Sequence, residues 1–203
     1  MLAASPNGAG DVFARAAGAD KERVAAHYSA LAGGTAGDTV VEKLPMNYLY
    51  IGAIHRALPD AKLILVRRTP IDSCFAMYRT LFGQAYPFSY DFQDLARYYA
   101  AYNRLVSHWR KSIGSRIAEV AYEDLVQEPT RVGATMARAC GLPWIDAATN
   151  VDQNAAVSLT ASAAQIRRPI YGTSSGRWRH YRTHLAPLIQ QLREHGITLP
   201  ADA

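Results

Sequence analysis

The sequence predicts an α/β protein in which helices flank a parallel sheet. Two short segments carry that prediction, Thr39-Val40-Val41-Glu42-Lys43 and Leu63-Ile64-Leu65-Val66-Arg67-Arg68. Both are β-branched or aliphatic and end in a cation. Each is followed by a proline and then by apolar residues at helical spacing, the alternation that marks neighbouring parallel strands. Arg116 to Tyr122 reads as a third strand. Ligands of such sheets bind beyond the carboxyl ends of the strands. Lys43 and Arg68 are therefore expected over one crevice, where they suit a polyanion such as a nucleotide.

The remaining elements follow in order. Met1 to Gly37 is rich in Ala and Gly, with helical patterns around Val12 to Ala17 and Lys21 to Leu31 and turns at Gly33-Gly34 and Gly37-Asp38. After the first strand, Pro45 suits an opening helical turn. Tyr48, Ile51, His55 and Leu58 then share one helix face until Pro59-Asp60. A helix from Ile71 to Phe82 starts behind Pro70 with Asp72 in its first turn, and Gly83 to Ser89 forms a loop. A long amphipathic helix from Asp91 to Ser112 carries Leu95, Tyr98, Tyr99, Tyr102, Val106 and Trp109 on its apolar side and stops at Gly114. Asp124 to Leu142 reads as a turn and a helix. Residues 147–175 form a long functional loop around Arg167-Arg168-Pro169, and Trp178 with Leu185 to Leu192 closes the domain.

Composition narrows the class. A chain of 203 residues with 49% hydrophobic and 19% charged content suits one globular domain with a substantial core. The net charge of +5 favours an anionic ligand. The aromatics are not interleaved with a basic stripe, which argues against nucleic acid. Cys74 and Cys140 lie in helical patterns and read as small core residues, not as a disulfide or a metal site. No segment approaches the roughly 18 to 20 apolar residues of a membrane span, and no basic leader precedes a hydrophobic run. The expected location is cytoplasmic, without membrane association.

Four motifs then carry a family resemblance: Glu42-Lys43-Leu44-Pro45-Met46-Asn47; Val66-Arg67-Arg68-Thr69-Pro70-Ile71-Asp72-Ser73-Cys74; Val120-Ala121-Tyr122-Glu123-Asp124-Leu125; and Gln165-Ile166-Arg167-Arg168-Pro169-Ile170-Tyr171 with Gly176-Arg177-Trp178. In order and spacing this set resembles the sulfotransferase family, nearest the bacterial members often fused to tetratricopeptide repeats and more distantly the tyrosylprotein sulfotransferases. Four motifs in sequence are far more specific than any one alone. The resemblance spans roughly residues 38–192, leaving 1–37 as a poorly matched helical segment of a single domain over 1–203. It implies a P-loop-NTPase-like parallel sheet flanked by helices, and 3′-phosphoadenosine 5′-phosphosulfate (PAPS) as sulfuryl donor with no metal.

The resemblance also implies roles. Lys43 matches the catalytic lysine that stabilises charge on the leaving phosphate during transfer. Arg68 matches the arginine that grips the donor's 3′-phosphate, where a guanidinium fork can hold two oxygens, with Arg67 as its solvent-facing neighbour. The serine that usually shares this phosphate is replaced by Ala76. Ser73, in the first helical turn, is its partial substitute beside a helix N-terminus that favours anions. Tyr122 matches a tyrosine near the nucleotide, although a half-buried structural tyrosine fits it equally well. Ser162 aligns with a serine near the transferring sulfate. Arg167, Arg168 and Tyr171, with Arg177 and Trp178, match the loop that folds over adenosine and the 3′-phosphate. His55 shares its helix face with Ile51 and Leu58 and reads as a structural histidine instead of a base. Glu42 points to the side of its strand opposite Lys43. The resemblance implies an acidic base near the start of the domain in a Gly-Glu context, which Gly8-Ala9-Gly10-Asp11 resembles, so that Asp11 is the candidate base.

One motif is missing. The family opens with a strand and a Pro-Arg-Ser-Gly-Thr-Thr type loop that cradles the 5′-phosphosulfate, and nothing before Lys43 matches it. The expected fold is thus N-terminally incomplete, with a second copy or a partner chain completing the sheet. Two readings stand: transfer of a sulfuryl group to a hydroxyl on a small molecule, glycan or peptide, or a non-catalytic remnant that binds adenosine 3′,5′-bisphosphate or a partner. A kinase of similar topology lacks its Gly-rich Lys-Ser/Thr loop here. Tyr86, Phe88, Tyr90 and Phe92 fit either an acceptor cleft or packing.

Overall fold

The computed structural model describes residues 14–33, 37–153 and 170–203. The chain divides into two compact units, Met1–Ala61 with His108–Ser112, and Lys62–Ser107 with Ile113–Ala203.

In the first unit, helix α1 (Lys21–Ala32) starts where the Asp20 side chain accepts a hydrogen bond from the Arg23 N–H, and ends at Gly33 with φ 69°. That cap satisfies one of the donors a helix N-terminus leaves over. Pro45–Tyr50 is a 3₁₀ turn and α2 (Ile51–Ala57) follows. The single helix expected behind Pro45 is thus divided, because the turn opens on an i to i−3 bond from Asn47 N to Leu44 O. Gly52 lets the Trp109 ring approach to a distance at which a Cβ would meet it at 2.8 Å. The indole N–H donates to the Tyr48 carbonyl at 2.8 Å.

The strand expected over residues 39–42 does not form. Residues 38–44 lie in no regular element. Val41 is 83% exposed and Val40 44%. A strand needs a ladder partner for its backbone groups, and the sheet among the described residues contains only two strands, neither of them this one.

Those strands belong to the second unit. β1 (Leu63–Arg67) pairs in parallel with β2 (Ile117–Ala121), in a register running from Leu63 opposite Ile117 to Arg67 opposite Ala121. Parallel neighbours need a long crossover. It is supplied by α3 (Pro70–Tyr78) and α4 (Phe92–Ile113). α3 stops four residues short of the expected end, because the Phe82 N–H is taken by the Tyr90 hydroxyl at 2.7 Å and Thr80 N turns back to Met77 O. α4 is capped by Asp91, whose Oδ1 accepts from Gln93 N and Asp94 N at 2.8 and 2.9 Å, an arrangement worth about 1 kcal/mol.

After β2 come α5 (Tyr122–Gln127) and α6 (Pro129–Cys140), and α6 closes on Gly141 at φ 72°. The chain returns through a turn at 173–176, a 3₁₀ turn over Arg177–Tyr181, and α7 (Ala186–Glu194). The core forms where α3, α4 and α7 turn apolar faces inward, and Ile71, Cys74, Leu95, Trp178, Leu188 and Leu192 have no exposed surface. Each large apolar side chain buried this way contributes about 1.5–3 kcal/mol. Burial pushes the Cys74 thiol well above its ordinary pKa, in keeping with a core cysteine. The aromatic loop is also packed: Phe88 stacks on Tyr98 with ring centroids 3.8 Å apart, and Tyr78 meets Phe92 at 4.5 Å. No helix among the described residues is long and apolar enough to cross a membrane.

Candidate functional site

The carboxyl end of β1 organises the site. Arg67 and Arg68 follow one another there, and the alternation of a strand sends their side chains to opposite sides. Arg67 is not solvent-facing as expected. It is half-buried, and its Nη2 donates to Asn103 Oδ1 of α4 at 3.2 Å. The neighbouring helix offers an acceptor that the strand's own sequence does not reveal. Tyr99, also on α4, has its pKa raised chiefly by burial, opposed by a hydrogen bond with Arg67.

Arg68 turns toward α5 and the 173–176 turn. Its guanidinium lies 5.0 Å from the Tyr122 ring centroid, within cation–π range. Its Nη2 donates to the Ser174 carbonyl and stands 3.7 Å from Asp72 Oδ1. The second distance is an ion-pair contact too long for a hydrogen bond. Its Nε is buried without a hydrogen-bond partner among the described residues.

Two carboxylates frame this arginine. Asp72, in the first turn of α3, is 2% exposed and accepts the Gly176 N–H at 2.9 Å through Oδ2. Glu123, the second residue of α5, accepts the Thr69 N–H at 2.9 Å and the Thr69 hydroxyl at 2.6 Å, both on Oε1. Partial burial alone raises the Glu123 pKa. The two Thr69 hydrogen bonds and the charge of Arg68 outweigh it and hold the carboxyl below its ordinary range. Sequence reasoning missed Glu123 and treated Asp72 only as a helix-dipole residue. The signals available were the i, i+4 spacing of Arg68 and Asp72 and the place of Glu123 inside the third motif.

The other expected site residues are distributed as follows. Lys43 is exposed on the irregular stretch 38–44 of the first unit. Ser73 is half-buried in the first turn of α3, and its N–H is already bonded to Thr69 O at 2.9 Å. Of the helix N-terminal amides, those of Ile71 and Asp72 are left without an intrahelical acceptor. Tyr171 is half-buried just before the 173–176 turn, and Arg177 is exposed directly after it. Trp178 has no exposed surface and joins the core cluster at the end of the loop. The Arg179 guanidinium lies 5.1 Å from its ring centroid. Asp11, Ser162, Arg167 and Arg168 lie outside the described residues. Among the described residues no group of acidic, histidine or cysteine side chains is placed to hold a metal ion.

A sequence model of the sulfotransferase family matches residues 5–146. An uncharacterized protein of Aquifex aeolicus (strain VF5) is 31% identical over 158 residues, which is 76% of this chain and 21% of that protein. The chain thus spans about a fifth of the length of the curated relative it matches. The solved sulfotransferase domain from the curacin biosynthetic pathway superposes with a TM-score of 0.65 over 87% of this chain and 69% of that one, at 17% identity. At that identity the likeness is one of fold, and it places the parallel strands and their helices in the P-loop-like architecture of a sulfotransferase domain. With its family match running through β1, α3, α4 and β2 to the end of α6, this chain belongs to the sulfotransferase family.

Proposed function

We propose that the chain transfers a sulfuryl group from PAPS to a hydroxyl acceptor. The observation that carries the reading is Arg68, set at the carboxyl end of β1 beside the α3 N-terminus, with a buried Nε that has no partner among the described residues. An orphaned guanidinium donor next to helix amides fits a phosphate oxygen. In the transfer, an acceptor oxygen forms a bond to sulfur as the sulfur's bond to the bridging phosphate oxygen breaks. The acceptor proton passes to a base, and adenosine 3′,5′-bisphosphate leaves. In this reading Arg68 holds the 3′-phosphate, Ser73 and Tyr122 stand beside it, and Tyr171 and Arg177 flank the nucleotide together with Arg167 and Arg168. Lys43 meets charge growing on the leaving oxygen, Ser162 lies near the sulfate, and Asp11 is the base. In this reading the transfer takes place in the cytoplasm, by the chain alone or as a homo-oligomer.

A specific observation favours the second reading, a binding module for adenosine 3′,5′-bisphosphate. Ala76 stands where the family's phosphate-binding serine is expected, and the Thr80 hydroxyl donates to its carbonyl at 2.7 Å. Transfer of radiolabelled sulfate from PAPS to a panel of hydroxyl acceptors, run beside calorimetric titration with adenosine 3′,5′-bisphosphate, separates the two. Labelled product establishes the transferase, and binding without product establishes the module. Neither binding nor product would sink both.

A further inference from the structure

Asp72 takes no part in the donor contacts above, yet it is the most deeply buried ionisable side chain around Arg68. A carboxylate is rarely buried unless it is paired and hydrogen-bonded. Its two oxygens serve different partners. Oδ2 accepts the Gly176 N–H at 2.9 Å, and Oδ1 faces Arg68 at 3.7 Å. Arg68 in turn donates to the carbonyl of Ser174, two residues before Gly176. These contacts close a ring through Arg68, Asp72, Gly176 and Ser174. It joins the start of α3 to a turn 104 residues away in the chain.

We propose that Asp72 is a positioning residue that ties the 173–176 turn to Arg68, so that one side chain sets the pose of both the arginine and the segment entering Arg177. The inference rests on the reading of Arg68 as the phosphate-binding arginine. The two halves of the ring differ in kind. The Gly176 bond is a hydrogen bond from a backbone N–H to a carboxylate. It is made by a backbone at φ 75°, where a Cβ would also meet Arg179 Nη1 at 2.1 Å. The Arg68 side consists of a hydrogen bond to the Ser174 carbonyl, a 3.7 Å ion pair and an Nε without a hydrogen-bond partner among the described residues. A phosphate arriving at Arg68 exchanges the Ser174 carbonyl for its own oxygens while the Asp72 bond keeps the turn in place. Arg177, at the end of that turn, is thereby held for the same ligand.

The test combines amide hydrogen exchange over residues 173–178 with calorimetric titration of adenosine 3′,5′-bisphosphate, on the wild type, Asp72→Asn and Asp72→Ala. Asn keeps an oxygen for the Gly176 N–H. It should retain protection of the turn and lose no more than about threefold in affinity, whereas Ala removes a charge-assisted bond and should cost about tenfold or more in both readouts. Asp72→Ser replaces the alanine variant if that one does not fold. Unchanged exchange in the Ala or Ser variant overturns the tie. A deprotected turn with wild-type affinity overturns its role toward the ligand. A wild type that does not bind the nucleotide overturns the donor reading instead, and the exchange difference between the Asn and Ala variants still decides the tie.

Discussion

Thr69 directs both its backbone N–H and its hydroxyl at a single oxygen, Oε1 of Glu123, at 2.9 and 2.6 Å. This one contact fastens the turn between β1 and α3 to the first turn of α5, 54 residues later. Arg68 is the residue before Thr69, so the contact fixes the backbone from which the arginine projects.

A pH dependence follows from that contact. The Glu123 pKa is depressed in the folded protein: burial opposes ionisation, but the Thr69 hydrogen bonds and Arg68 prevail. A depressed carboxyl contributes stability that is fully present above its unfolded-state value and is lost as pH falls through the lower folded-state value. Urea unfolding should therefore show Glu123→Gln less stable than wild type at pH 7, with the gap closing below about pH 4. A gap independent of pH would assign the effect to shape alone.

Lys43 and Arg68 should separate in their kinetics. Removing a contact made only during transfer lowers turnover and spares binding, whereas removing a ground-state contact weakens binding. Arg68→Ala should reduce adenosine 3′,5′-bisphosphate affinity by about a hundredfold, the cost of a charge-assisted phosphate contact. Lys43→Ala should bind within about twofold of wild type and lose roughly a hundredfold or more in sulfate transfer. Equal loss of binding in both variants, measured by calorimetry, would contradict these roles.

Gly133 looks replaceable in sequence, since Ala in a helix interior is normally favoured over Gly by about 1 kcal/mol. In α6, however, a Cβ there would meet two ring atoms of Trp144 at 2.6 Å, and the indole is held by a 2.8 Å hydrogen bond to Asp146. Gly133→Ala should therefore destabilise the protein by up to about 2 kcal/mol, the usual overpacking cost of about 1–3 kcal/mol less the helix gain of about 1 kcal/mol. Chemical denaturation gives the answer directly, and a rise in stability would show that the ring moves aside freely.

Much of the second unit was legible in the sequence. β1 and β2 appear within a residue or two of their expected bounds. α4 runs from Phe92 to Ile113, behind the expected acidic start and before the expected glycine. These are short-range properties, written in hydrophobic period and capping chemistry. The motifs naming the family were legible for the same reason, each being a compact run of residues. Misreadings arose where a distant partner decides. The Tyr90 hydroxyl, eight residues on, ends α3 early, and Asn103 draws Arg67 out of solvent.

The sequence by itself determined the family, the two parallel strands and the helices around them, because each is encoded by neighbours along the chain. Only the tertiary structure decided that residues 38–44 form no strand, since a strand exists through pairing and not through composition. It also decided the surroundings of Arg68. Asp72 reaches Gly176 and Glu123 reaches Thr69 across 104 and 54 residues. Contacts of that span depend on how the elements pack: the i, i+4 spacing of Arg68 and Asp72 is local, but the turns that Asp72 and Glu123 reach are not.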